Sequence, residues 1–435
     1  MNISNLKKDI ISTTLLTIFG RAGGMLIPFI IARYFGANNE TDSFFLAYSI
    51  VFYIANIFSP SLERLIVPFI NENQKLNQNP SGFISNVGWS VSVLLVIVSF
   101  FSIIILNQSF SFLSNNKELV NITFNYLLFI LPILFIVCWS SLLSGVLNAY
   151  KIFSIPAISP LIRFISVLLA IILLQRSLGM ISVIIGFILG ELLRFSFLFL
   201  KSKKLVSFKL VRLKLNDKII KFYKIGSYQI FVSFIYGLLT VFDRVIASYL
   251  GEGNITLYHY VERIYFIPFT LLTIGVMPVL LTYWGQDFNN SVFINKVSIL
   301  ISTLKNTLIK FSIIIIPIII ILILIKSQLI QILVGKNILS KDQMIVMNNT
   351  FLFLIVGLLP QTLTAIQANA LIIFKKTNYL FYTSFFVLLF KPILSIILIN
   401  KLNLQGLALA NTITHLFVFF IFIYFINKTI VNGIK

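Results

Sequence analysis

Apolar residues run through this chain in stretches of about twenty, the length at which a helix crosses a bilayer core. The stretches fall at roughly 10–34, 42–70, 83–106, 120–149, 154–174, 178–200, 223–250, 256–284, 307–334, 345–374, 378–399 and 405–427. Polar clusters separate them, and none shows the short period-2 alternation of a barrel strand. The pattern predicts an all-α fold: a polytopic membrane protein of about 12 transmembrane helices. Several stretches exceed the bilayer thickness, so tilted or protruding helices are expected. Lys7 and Lys8 precede the first stretch, which is long and lacks a small-residue cleavage site. It reads as a retained first helix and not as a signal peptide.

The polar segments set the orientation. Lys201–Lys224 holds nine Lys or Arg against one acid, Asp217. Basic loops stay in the cytoplasm. Counting back six spans puts the N-terminus inside too, and Lys296, Lys305, Lys375, Lys376, Lys428 and Lys435 then fall on the same side. The opposite loops, Gly36–Thr41, Asn107–Glu118, Gln175–Ser177 and Gly251–Ile255, are short and mostly neutral.

A repeat organises the spans. Ile31-Ala32-Arg33-Tyr34-Phe35-Gly36 ends span one, and Ile246-Ala247-Ser248-Tyr249-Leu250-Gly251 ends span seven. Pro68 near the end of span two has a counterpart in Pro278 near the end of span eight, and Gly179 and Gly406 open spans six and twelve. Two six-helix halves in the same orientation imply pseudo-symmetric lobes related by an axis along the membrane normal. The expected division is an N-lobe at 1–200, a basic cytoplasmic linker at 201–222 and a C-lobe at 223–435. In transporters of this design the substrate site lies between the halves.

Composition agrees with the membrane reading. Apolar residues are 58% of the chain and charged residues 11%, against about a quarter charged in soluble domains. The formal net charge of +21 would suggest nucleic acid in a soluble protein. Here loop orientation accounts for it, and no nucleic-acid partner is expected. The lone Cys138 sits in an apolar run and excludes disulfides. No Ser-His-Asp arrangement, P-loop or dinucleotide fingerprint is present, and His259 and His415 are too few for a metal site. The outer loops are too short to house catalysis, so neither an enzyme nor a cofactor is expected.

Ionisable groups inside spans are costly and are functional candidates by default. They are Arg21, Glu63, Arg64, Arg163, Glu191, Arg194, Asp243, Arg244, Glu262, Arg263, Lys310 and Lys391. For Arg64, Arg194, Lys310 and Lys391, snorkelling to the interface or pairing with a nearby acid is the favoured reading. Asp243-Arg244 and Glu262-Arg263 could form ion pairs between helices. Arg21 is different: it lies near the middle of span one, which contains no acid. A guanidinium there needs an anionic partner or a hydrated cavity, and its planar fork suits phosphate. An acid from another span is the competing partner. Gly20 and Gly24 bracket Arg21 at a spacing that lets helices approach closely. Pro28, Pro60, Pro132, Pro268, Pro317 and Pro360 interrupt spans and can bend them.

Three segments carry a resemblance. Gly20-Arg21-Ala22-Gly23-Gly24, Ile31–Ala37 and Glu40–Ala47 form the first. Leu147-Asn148-Ala149-Tyr150 with Phe153–Ala157 and Pro160 form the second, and Tyr260-Val261-Glu262-Arg263 with Pro268 the third. With gaps, over about residues 10–285, the chain resembles the lipid II flippase (MurJ-like) family of the multidrug/oligosaccharidyl-lipid/polysaccharide flippase superfamily. The resemblance implies a lipid diphosphate held by cavity arginines, with Arg21 matching the family's arginine in span one and Arg263 that in span eight. Asp42 matches its acid at the start of span two, and Thr256 stands where it has a serine. The second span-one arginine is replaced by Ile27, the arginine and lysine of span two fall on Ala55 and Ser49, and the span-two acid falls on Pro60 with Glu63 displaced by three. The family's usual fourteen spans would leave two absent here.

The function so implied is a flippase moving an undecaprenyl-diphosphate-linked glycan, lipid II or a related surface-polysaccharide unit, from the inner to the outer leaflet of a bacterial plasma membrane. Its partners would be that glycan lipid and membrane lipids, with ion or membrane-potential coupling left open. A cation-coupled multidrug exporter of the same superfamily is the alternative; it should present an acidic site. A non-transporting membrane scaffold is the third reading.

Overall fold

The computed structural model describes Leu16, Phe19, Gly20 and residues 23–75, 78–113, 117–208, 217–274, 293–335, 338–373 and 376–434. Helices are the only regular structure among the described residues. The chain packs as two compact units, Met1–Ile255 and Thr256–Lys435. This division by packing falls beyond the basic segment 201–222.

The first unit contains α1 (Gly23–Phe35), α2 (Asn39–Lys75), α3 (Ser81–Leu113), α4 (Lys117–Ile130), α5 (Ile133–Ala149), α6 (Ser154–Ile158), α7 (Pro160–Leu178), α8 (Ile181–Ser202) and α9 (Asp217–Ser248). α2 is its hub and packs on α4, α5 and α9, while α7 and α8 form a close antiparallel pair. Small residues permit these approaches. A Cβ on Gly237 of α9 would overlap the Tyr53 ring of α2, and one on Gly190 of α8 would meet the Arg163 Cα of α7 at 2.8 Å. A Cβ on Gly20 would strike the Ala157 carbonyl of α6, and one on Gly23 the Phe164 ring of α7. Gly20 and Gly23 therefore serve packing, as small residues between membrane helices do, whereas a Cβ on Gly24 would meet only ordinary contact.

α10 (Asn254–Ile274) starts at the boundary and continues into the second unit, which adds α11 (Phe293–Leu324), α12 (Lys326–Val334), α13 (Lys341–Val356), α14 (Leu358–Ile373), α15 (Thr377–Leu402) and α16 (Leu404–Ile434). α16 packs on α13, α14 and α15, and α11 on α14. Ser340 caps α13 through a reciprocal bond pair with Gln343, satisfying two otherwise orphaned backbone donors.

The described part of each expected span coincides with one helix or with a broken pair. Among the described residues nine helical stretches are long and apolar enough to cross a membrane. The protein is a multi-pass, all-α membrane protein. Span four breaks into α4 and α5 at Leu131-Pro132, and span ten into α13 and α14 at Gly357. Pro268 and Pro317 lie inside continuous helices, as does Pro392.

The repeat has a backbone signature. Gly36 (φ 70°) and Gly251 (φ 100°), which end the two echoed hexapeptides, both take the left-handed region, where glycine is at no steric disadvantage. Gly179 (φ 52°, ψ −134°) ends α7, and Asn403 (φ 50°, ψ −137°) ends α15. Asn403 thus repeats the backbone of Gly179 just before the helix that Gly406 opens. Gly406 sits in the first turn of α16, where a Cβ would collide with the Leu398 backbone. Pro278 lies outside the described residues, so its pairing with Pro68 has no structural counterpart here.

Candidate functional site

Among the described residues, Asp42 is the first of the expected site residues along the chain. Asn38 and Thr41 cap α2, the Asn38 N–H donating to Thr41 Oγ1 at 2.9 Å and the Thr41 N–H to Asn38 Oδ1 at 3.0 Å. Acids in a first helical turn suit the positive end of the helix dipole, and Glu40 and Asp42 stand there. Asp42 is nonetheless fully buried, and its Oδ2 accepts a 2.7 Å hydrogen bond from the Gly253 N–H. The Asn39 N–H donates to Glu252 Oε1 at 3.1 Å. The turn before α10 is thereby tied to the start of α2. Gly251 (φ 100°) and Gly253 (φ 83°) supply its left-handed backbone.

α10 carries the next two expected residues. Thr256, His259 and Arg263 recur at three and four residues, which places them on one helical face. Thr256 is fully buried, His259 is buried, and Arg263 is partly exposed. Arg263 Nε donates to His259 Nε2 at 3.3 Å. Among the described residues no carboxylate lies within ion-pair distance of Arg263, since the ion pairs found are Arg163–Glu191 and Arg194–Glu191. Arg263 thus rests against a ring nitrogen of its own helix. His259 entered the sequence reading only as a potential metal ligand. Its spacing of four from Arg263 was the signal for this second role. Arg21 lies outside the described residues.

A family model described as Lipid II flippase MurJ matches residues 31–435. This chain belongs to the MurJ family. A protein of Buchnera aphidicola subsp. Baizongia pistaciae named "Probable lipid II flippase MurJ" is 26% identical over 429 residues, 96% of this chain and 82% of that relative. A relative of the same name from Buchnera aphidicola subsp. Acyrthosiphon pisum is 28% identical over 306 residues, 66% of this chain and 58% of its own length. A solved structure titled "Lipid II flippase MurJ, inward closed conformation" superposes with a TM-score of 0.81 at 22% identity, covering 97% of this chain and 90% of that one. An inward-facing multidrug resistance MATE transporter of the MOP superfamily also reaches 0.81, at 11% identity and 98% of both chains. The structural likenesses share the fold.

Ile27, Ala55 and Ser49 are the positions at which the family resemblance would expect charged groups. Ile27, Ala55 and Ser49 are buried here, at 3%, 1% and 8% exposure. Ile27 and Ala55 belong to the packed interior. Glu63, three residues from Pro60, accepts a hydrogen bond from Asn148 Nδ2 at 3.2 Å.

The other intramembrane charges are arranged structurally. Glu191 of α8 is fully buried between two arginines, with Arg163 Nη1 at 2.6 Å and Arg194 Nη1 at 3.3 Å. Arg194 Nε also donates to Ser159 Oγ at 3.1 Å. Arg194 follows the pairing branch of the sequence reading. Lys391 is buried at 7% exposure, which excludes snorkelling for it, whereas Lys310 is exposed. Asp243 and Arg244 are both buried, and Arg244 heads the largest fully buried side chains.

Proposed function

We propose that this protein moves an undecaprenyl-diphosphate-linked glycan precursor, lipid II or a related cell-surface unit, from the inner to the outer leaflet of the bacterial plasma membrane by alternating access. The observation that carries this reading is Arg263: a guanidinium on α10 of a MurJ-family chain, within the stretch 256–284 that the sequence pattern reads as a span, with the His259 imidazole as its side-chain partner. Charge in that setting needs compensation, and a diphosphate supplies it through paired, charge-assisted hydrogen bonds. Arg21 is the second proposed diphosphate ligand. Thr256 offers a hydroxyl on the face that bears Arg263. Asp42 acts at the outer turn, where its carboxylate organises the start of α10. Both termini face the cytoplasm, and the lobes divide by the repeat at 1–200 and 223–435 around the basic linker 201–222.

The exporter reading draws on the MATE neighbour, a likeness of fold. A site for cationic drugs calls for exposed carboxylates, whereas the α10 face presents an arginine. One experiment addresses both readings. The protein is expressed in cells depleted of their own lipid II flippase and in cells lacking a surface-polysaccharide flippase, and drug susceptibility is measured in parallel. Rescue of either strain is expected, with R21A, R263A and R263K each abolishing it at unchanged membrane levels; lysine fails because it lacks the bidentate fork. Drug resistance without rescue of either strain overturns the proposal.

A further inference from the structure

A cavity of about 390 Å³ opens between α3, α5 and α8 in the first unit, within the size range of ligand pockets. Its walls are almost wholly aromatic and aliphatic: Trp89, Phe135, Trp139, Phe195, Phe199 and Phe208. The walls are built deliberately. Gly88 leaves the space that the Trp139 ring fills against α3, where any Cβ would overlap it. Trp139 Nε1 donates to Ser92 Oγ at 2.8 Å, so its polar atom is satisfied and its ring is left to the cavity. Trp89 meets Trp139 edge to face at 5.8 Å, and Phe199 meets Phe208 at 5.5 Å. Trp89 and Leu192, another wall residue, are 37% and 42% exposed, so the cavity is open at its side.

The position of the cavity along the chain gives its ligand. Phe199 and Phe208 flank Lys201, Lys203 and Lys204, all exposed. The Ser207 N–H donates to Ser81 Oγ at 3.0 Å, which pins the segment after α8 to the start of α3. Two walls of an apolar slot with a tryptophan pair thus bracket, along the chain, three exposed lysines in its most basic segment. Tryptophan favours the membrane–water boundary, and basic residues beside helices there attract anionic headgroups. A slot lined almost wholly by apolar side chains, with Ser85 the one polar residue among those described, selects a hydrocarbon chain, and the lysines select the charge attached to it.

We infer that this cavity binds an anionic phospholipid of the inner leaflet, one acyl chain lying between α3, α5 and α8 and the headgroup phosphate meeting Lys201, Lys203 and Lys204. This site shares no residue with the α10 face that bears Arg263, and it stands whether or not the transported substrate is a diphosphate glycan.

Native mass spectrometry of the purified full chain tests it, with phosphatidylglycerol, phosphatidylcholine and undecaprenyl diphosphate as probes. Wild type should retain phosphatidylglycerol in preference to the other two. L192W, which fills the slot from an exposed position, should lose that retention at an unchanged melting temperature. The variant K201Q/K203Q/K204Q should lower affinity for phosphatidylglycerol roughly tenfold or more and bring it level with phosphatidylcholine; the remaining basic residues of Lys201–Lys224 keep the loop in place. Equal retention of both phospholipids by wild type overturns the inference. So does undiminished binding by L192W, or stronger binding of undecaprenyl diphosphate that L192W removes.

Discussion

The Asp42 carboxylate accepts the Gly253 backbone N–H at 2.7 Å from 211 positions away in the chain. A charged acceptor in a fully buried setting contributes about 1.5–3 kcal/mol, because the alternative is an unsolvated carboxylate. D42A should therefore lower the melting temperature clearly. D42N, which keeps an acceptor but loses the charge, should fall between D42A and wild type. G253A should also destabilise, by about 1–2 kcal/mol, since its φ of 83° disfavours a Cβ. Thermal unfolding in detergent measures all three, and a D42A protein that melts with wild type removes the tie from the account.

Glu191 holds two arginines at once. Removing the central anion leaves two guanidinium groups without it in an apolar helix pair, a change that costs about 3–5 kcal/mol when a buried pair is broken. E191A should reduce the yield of folded protein and its melting temperature. Replacing all three residues together with methionine should recover much of the loss, because it removes the orphaned charges as well. If E191A melts normally, the arginines have another counter-charge, and the triad is not the structural device described here.

The long apolar runs made the helix inventory legible, since in a bilayer the backbone must satisfy itself and helices are the available answer. The breaks were only partly so. Pro132 marks the break between α4 and α5, but Gly357 divides α13 from α14 with no comparable signal, while Pro268 and Pro317 leave their helices continuous. The turn at Asn403 follows the same logic: a short polar side chain tolerates a positive φ, so glycine counting alone does not find it. Glu191 with Arg163 was illegible because 28 residues separate them, and sequence spacing identifies neighbours on one helix, not across two. Of the site residues, Arg263 was among the charges within apolar runs, while Asp42 entered only through the family resemblance. Their partners, a ring four residues away and a backbone amide, carry no charge pattern.

Topology has a direct test. Reporter tags at Lys204 and at the C-terminus should be cytoplasmic, and a tag at Asn39 external, because the basic residues crowd one set of loops. An external signal at Lys204 would overturn the orientation and with it the inner-leaflet placement of the lysine-rimmed cavity.

The last prediction concerns Ile27 and Ala55. The family resemblance assigns arginines to these positions, yet here both side chains are packed away from solvent. Two cations that could grip a diphosphate are therefore replaced, each lost charge-assisted bond weakening binding by roughly 1.5–3 kcal/mol. Neighbouring packing leaves little room to restore them: I27R and A55R should destabilise the fold, since an arginine forced into a packed interior is both too large and unpaired. A protein with fewer cationic ligands should favour a substrate whose remaining parts contribute more of the binding, so it should flip a related undecaprenyl-linked glycan at least as well as lipid II. The two depleted strains used to test transport separate these cases. Rescue of the surface-polysaccharide strain, equal to or better than rescue of the lipid II strain, is the expected result. Full rescue of the lipid II strain with none of the other would show that the reduced cation set still serves lipid II, and would end the case for a shifted substrate.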